Sequence, residues 1–216
     1  MRHYLIVDDN RAFAENLAEI IRDSGEEATA ARSGAEALEI AARQRFDALL
    51  TDMRMPLMGG AELVHRIREV DPGIPAIVVT AYTGDDDLQS ARREGILAIL
   101  PKPIPVERVL DLLASARRDG LVAVVEDDLA LSDNLTEALR DHGFTAVTAA
   151  SVTETDRLAA LRPFVGIADL RVPGGPDGEA MRRLMSRFPA MPVIVTTGHR
   201  DALPAPGPHH SVLMKP

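Results

Sequence analysis

The sequence predicts an α/β chain of two doubly wound, five-stranded parallel-sheet domains in tandem. Three observations carry that prediction. Short apolar runs alternate with amphipathic segments, several of those runs are apolar without interruption, and the whole pattern repeats once. HYLIVDDN near the start returns as VAVVEDDL from Val122, FDALLTDMRMP as FVGIADLRVP, IPAIVVTAY as MPVIVTTGH, and AILPKP as SVLMKP. Asp52 to Asp169 and Thr80 to Thr197 are each 117 residues apart, Asp9 to Asp127 is 118, and Lys102 to Lys215 is 113. Four landmarks in one order at one spacing mark a duplicated unit. The domains are residues 1–119 and 120–216, joined without a Gly/Ser- or Pro-rich linker, so coupled rather than tethered domains are expected.

Within the first unit the pattern places strands at 3–8, 26–31, 47–52, 75–80 and 97–100. The apolar run Ala48, Leu49, Leu50 suits a strand covered on both faces. Helices are expected at 11–24, 35–44, 60–70, 84–94 and 105–118. The first carries Phe13, Leu17, Ile20 and Ile21 as a 3.6-period stripe, and Gly25 suits its stop. The last carries Val109, Leu112, Leu113 and Ala116 in the same way. Strand–helix alternation implies a parallel sheet with helices on both sides. Functional groups then collect at the carboxyl ends of the strands.

Composition narrows the function. The 216 residues include 24 Lys plus Arg against 33 Asp plus Glu, a formal charge of −9. The halves carry −6 and −3, so neither is a basic module that would bind nucleic acid or an anionic membrane directly. Aromatics at 3% and no Trp make a base-stacking platform improbable, and the absence of Cys excludes disulfides, thiolate metal sites and thiol catalysis. No apolar run approaches the roughly 20 residues that span a bilayer, and the apolar stretch at the N-terminus is too short for a signal peptide. A soluble, cytoplasmic protein is expected.

Asp8, Asp9, Asp52, Thr80 and Lys102 all fall at or just after expected strand ends. Three carboxylates gathered there repel one another unless a cation sits among them. Their hard oxygens suit Mg²⁺. A lysine supplies a point charge for phosphate oxygens and a threonine hydroxyl a hydrogen bond. An aspartate in that setting can attack phosphorus. Alternatively, Asp8, Asp9 and Asn10 could simply cap a helix, a reading that the matching Asp52, Thr80 and Lys102 make weaker.

With VDDN, TDMRMP, VVTAY and PKP in order, the chain resembles the receiver domains of two-component response regulators over nearly its whole length. The resemblance implies a flavodoxin-like sheet of order 2-1-3-4-5. It implies that Asp52 accepts phosphate from a phosphohistidine on a sensor histidine kinase or phosphotransfer protein. Asp9, Asp52 and the Arg54 backbone carbonyl would hold Mg²⁺, with Asp8 helping through water. Thr80 and Lys102 would contact the phosphoryl group, and the Lys102–Pro103 peptide would be cis. Carried to the second unit, Glu126 and Asp127 form the acidic pair, Asp169 is the acceptor, the Arg171 carbonyl completes the metal set, and Thr197 and Lys215 complete the site. Such a protein phosphorylates and dephosphorylates itself but turns over no external metabolite.

The sequence also departs from that family. A Tyr or Phe usually stands three residues before the lysine, and here those positions are Ile99 and Val212. Thr197 to Lys215 is 18 residues where Thr80 to Lys102 is 22, and the stretch between holds Pro204, Pro206 and Pro208. The second unit is therefore expected to lose its fourth helix, and it has no counterpart of the helix at 105–118. It reads as a degenerate, adaptor-like receiver beside a phosphorylatable one. Its uncovered sheet flank is the expected site of any homodimer. Two alternatives stand beside this reading: a pseudo-receiver scaffold that is never phosphorylated, and the regulatory front of a larger effector such as a diguanylate cyclase or hybrid kinase. Asp85–Asp87, the His209–His210 pair and Met53, Met55 and Met58 read as a helix start, a solvated loop and packing residues.

Overall fold

A computed structural model describes residues 1–81, 95–198 and 210–215. Among the described residues, ten strands form two sheets. The first is β1 (His3–Val7), β2 (Glu27–Ala31), β3 (Ala48–Asp52), β4 (Ala76–Thr80) and β5 (Ala98–Pro101), in the order β2-β1-β3-β4-β5. The second is β6 (Leu121–Val125), β7 (Thr145–Ala149), β8 (Val165–Asp169), β9 (Val193–Thr197) and β10 (His210–Met214). Its order, β7-β6-β8-β9-β10, repeats the first. All eight pairings are parallel.

Each first-domain strand lies within one residue of its expected bounds, with the inner strands β1, β3 and β4 as short, largely buried runs and the edge strands β2 and β5 more exposed. In β3 and β4 every residue is buried. The helices begin where local chemistry starts them. The Asn10 side chain accepts from the Phe13 N–H and opens the helix Arg11–Asp23. Ser33 accepts from the Glu36 N–H at 3.2 Å while Glu36 accepts from the Arg32 N–H at 2.9 Å, which together open Gly34–Ala41. Helix Gly60–Val70 follows as expected, whereas the helix expected at 105–118 is Val106–Ser115 and stops three residues early, with Ala116 already out of helical conformation. The fourth helix expected at 84–94 and the proline-rich stretch at 199–209, where the second domain was expected to lose its fourth helix, lie outside the described residues.

Two apolar layers enclose the first sheet. Leu5, Leu49, Val64, Ile67 and Val78 pack on one side, and Tyr4, Ile6, Leu50, Ile77, Val109 and Leu113 on the other. The second domain matches the former layer with Leu121, Ala168, Met181, Leu184 and Val195, under helix Glu179–Arg187. Its other face differs. Ala48, Leu50 and Ile77 of the first domain are 0–1% exposed, whereas their counterparts Val165, Ile167 and Ile194 are only half-buried. On that face helix Leu129–Asp141 packs with Leu135 and Leu139. Between β7 and β8, a 3₁₀ segment, Thr153–Ala160, replaces the α-helix Gly34–Ala41.

The junction is clamped rather than extended. The Arg118 guanidinium reaches Asp71 at 2.6 Å and also donates to the Phe46 carbonyl. The Asp119 N–H donates to Gly73 O at 2.8 Å, and the Arg117 N–H to Gly143 O at 2.9 Å. Of these bonds, the one from Arg117 to Gly143 crosses between the domains, and the others fasten residues 118–119 to the first.

Candidate functional site

Topology sets the site residues in a row. Asp8 follows β1, Asp52 ends β3, Thr80 ends β4 and Lys102 follows β5, and those four strands lie side by side in the sheet. Register aligns them: Asp52 lies opposite Val79, and Thr80 opposite Pro101. The Lys102 N–H donates to Thr80 O at 2.8 Å, which ties the loop after β5 to the end of β4. The Lys102–Pro103 peptide is cis, as the resemblance implies.

The lysine bridges two carboxylates. Lys102 Nζ lies 2.7 Å from Asp8 Oδ2 and 2.8 Å from Asp52 Oδ1. The other oxygen of each carboxylate is held by backbone: the Asn10 N–H donates to Asp8 Oδ1, and the Arg54 N–H to Asp52 Oδ2, both at 2.8 Å. Each acid is therefore locked in rotamer, with one oxygen facing the lysine. Asp8 is 1% exposed, Asp52 8% and Thr80 2%, while Asp9 stands exposed at the rim. Burial pulls the Lys102 amine down, but its bonds to Asp52 and Asp8 outweigh that, so its pKa lies above the usual lysine value.

Gly60 matters to this geometry. Its N–H donates to Met53 O at 2.9 Å, and a Cβ there would collide with the Asp52 carbonyl oxygen. Without a side chain, helix Gly60–Val70 can start directly behind the aspartate.

Phe13 is a site residue that periodicity alone does not distinguish. It was expected only in an apolar helix stripe, yet its ring lies 4.5 Å beneath Lys102 Nζ as a cation–π partner. The one signal in the sequence is its place on the helix that opens directly after Asp9. The duplicated position is Leu131. Ile99 and Val212, where the aromatic would stand, are half-buried and pack against the cores of their domains.

The second domain repeats the arrangement. Lys215 Nζ sits 2.8 Å from both Glu126 carboxylate oxygens and 2.8 Å from Asp169 Oδ2. The Arg171 N–H donates to Asp169 Oδ1 at 3.3 Å, and Thr197 is buried at the end of β9. The longer Glu126 therefore reaches the lysine as Asp8 does. The Lys215 amine is pulled down by burial and raised further by Asp169 and Glu126, a net upward shift. Glu126, Asp127 and Asp169 bring ligand oxygens within 4.8 Å of one another, a hard-oxygen set that fits a divalent cation such as Mg²⁺.

A five-stranded parallel sheet with order 2-1-3-4-5, bearing clustered carboxylates, a threonine and a lysine along its carboxyl edge, defines a chemotaxis-protein-like receiver fold. Residues 4–114 match the family model of the response regulator receiver domain. A response regulator receiver protein of Anaeromyxobacter sp. (strain Fw109-5) is 66% identical over 216 residues, all of this chain and 90% of that protein. Sporulation initiation phosphotransferase F of Bacillus subtilis is 34% identical over 107 residues, 50% of this chain and 86% of its own. The solved chemotaxis protein CheY4 of Vibrio cholerae superposes with a TM-score of 0.50 at 31% identity, over 53% of this chain and 97% of its own. Of several longer transcriptional regulatory proteins the chain spans 23% of the length. The chain belongs to the response regulator receiver family of two-component signalling, and the structure shows a second receiver-like domain behind the first. Among the described residues, no helix is long and apolar enough to cross a membrane.

Proposed function

We propose that Asp52 is a phosphoacceptor and that its phosphorylation switches the partner binding of this chain. The observation that carries the proposal is Lys102, which follows the edge strand β5, held between Asp8 and Asp52, 2.7 and 2.8 Å away, with Asp52 at the end of the central strand β3. The amine there pairs with two acids at once and is already placed to follow negative charge onto a phosphoryl group.

The donor is a phosphohistidine of a sensor histidine kinase or phosphotransfer protein. An Asp52 carboxylate oxygen attacks phosphorus, the P–N bond to the imidazole breaks, and an acyl phosphate forms on the aspartate. Lys102 leaves its ion pair with Asp52 for a phosphoryl oxygen, and the Thr80 hydroxyl hydrogen-bonds another. Asp8, Asp9, Asp52 and the Arg54 carbonyl would hold Mg²⁺, as Glu126, Asp127, Asp169 and the Arg171 carbonyl would in the second domain. When bound, the ion supplies charge neutralisation between carboxylate and phosphate oxygens. The backbone bonds from Asn10 and Arg54 keep the carboxylates aimed throughout.

The second domain holds the same groups on a sheet whose second face is less covered. We assign it the adaptor role, with the first domain as the switch. Beryllofluoride with Mg²⁺ mimics the acyl phosphate. Calorimetric titration into the full chain is expected to give a binding event that Asp52→Asn removes. Unchanged binding in Asp52→Asn would refute the assignment.

A further inference from the structure

The two elements that flank Lys102 in sequence are also the two that meet the second domain. Before the lysine, β5 and its lead-in approach β7. Gly95 is so close to Ala146 and Val147 that a Cβ on it would collide with the Val147 side chain. After the lysine, helix Val106–Ser115 ends against Gly143, whose backbone approaches the Ser115 carbonyl with no room for a side chain. Arg117 continues the contact. Its N–H reaches Gly143 O at 2.9 Å, its Nε reaches His142 O at 2.8 Å, and its guanidinium lies 4.7 Å from the Phe144 ring centroid. Between these clamps lies a cleft of about 410 Å³, with Leu97, Arg108 and Leu112 on one side and Asp133, Glu137, Arg140 and Asp141 on the other. The second domain contributes three acids and Arg140 to a wall on which the first contributes Arg108, so acids outnumber bases on the side that faces Arg108.

We propose that the second domain is the reader of the first: the β5 and Val106–Ser115 face is a docking surface whose occupant is the helix Leu129–Asp141 and β7 of the same chain, and whose fit depends on the state of Asp52. This rests on the assignment of Asp52 as phosphoacceptor. The physical path is short. When Lys102 exchanges its carboxylate partners for a phosphoryl oxygen, the segment it belongs to is pulled at one point, between β5 and the helix. The lead-in to β5 meets the second domain at Gly95, seven residues before the lysine, and the helix ends on it at Ser115, thirteen residues after. A shift of either one changes contacts that leave no space for adjustment at Gly95 or Gly143. A signal of this kind needs only that the two states of the lysine differ in their contact free energy with the docked domain. It needs no aromatic side chain at Ile99.

The test uses the full chain carrying Asp169→Asn, so that Asp52 is the one acceptor aspartate left. Amide hydrogen exchange is measured with and without beryllofluoride and Mg²⁺, and intact mass is measured after acetyl phosphate and Mg²⁺. The expected result is one phosphoryl group on Asp52 and a several-fold change in exchange across residues 140–147 on addition of the analogue. Adding Arg117→Ala should raise exchange there without analogue and remove the response, with Asp52 labelling retained. Labelling of Asp52 with unchanged exchange at 140–147 would overturn the coupling alone. Absence of labelling would overturn the phosphoacceptor assignment, and the coupling with it.

Discussion

Lys102→Met removes the amine and keeps the chain's length, and the structure fixes what should follow. Asp8 and Asp52 are 1% and 8% exposed, and each would keep one backbone hydrogen bond while losing its counter-charge. Breaking a buried ion pair from one side costs about 3–5 kcal/mol. The Lys102 side chain is itself 24% exposed, so water softens the loss toward the lower end, about 3 kcal/mol. For a chain of this size each kcal/mol moves Tm by about 2–4 °C, so a fall of roughly 6–12 °C is expected in metal-free buffer. Mg²⁺ should then stabilise the variant more than the parent, because in the parent it must compete with the amine. At about a hundred times its dissociation constant a ligand adds about 2.7 kcal/mol, enough to return most of the loss. Differential scanning calorimetry of both proteins with EDTA and with Mg²⁺ measures the four values. A variant as stable as the parent without metal, or equal gains from Mg²⁺ in both, would refute the reasoning.

Other perturbations act on neighbouring parts of the site. Gly60→Ala forces a Cβ against the Asp52 carbonyl oxygen, so a loss of about 1–3 kcal/mol in urea titration should accompany weaker beryllofluoride binding. Phe13→Leu copies the second domain's Leu131 and removes the ring under Lys102; a loss of about 1 kcal/mol by chemical denaturation is expected. Burial works against the charged Lys102 amine, but its bonds to Asp52 and Asp8 raise its folded pKa overall. Its contribution is then fully present below the ordinary lysine pKa of about 10.4 and is lost as pH climbs through the raised folded value. Denaturation midpoints of the parent should fall along that alkaline limb, and Lys102→Met should flatten it.

Much of the site was legible in the sequence because a parallel sheet turns strand ends into neighbours. Asp8, Asp52, Thr80 and Lys102 are spread over 95 positions yet share one edge, and β3, expected at 47–52, is Ala48–Asp52. Helix 60–70 agrees to the residue because Gly60 and Asp71 bracket a clean apolar stripe of Leu63, Val64 and Ile67. Phe13 was legible only as part of a stripe, since periodicity gives the face of a helix and not the cation above it. The Arg118–Asp71 clamp joins side chains 47 residues apart with no pattern between them. The tight domain boundary could be read from the missing linker, but the face on which the second domain docks could not. It depends on Gly95 and Gly143, whose lack of side chains is visible in sequence while the partner each makes room for is not. In the second domain, Thr153, Thr155 and Asp156 are weak helix formers, which accounts for a 3₁₀ segment where the first domain has an α-helix.

Which aspartate takes the phosphoryl group is decided most directly by intact-mass analysis after acetyl phosphate and Mg²⁺, on the parent, Asp52→Asn and Asp169→Asn chains. A phosphoryl adduct on the parent and on Asp169→Asn, lost in Asp52→Asn, is the predicted outcome. An adduct that survives Asp52→Asn and disappears in Asp169→Asn would contradict the account.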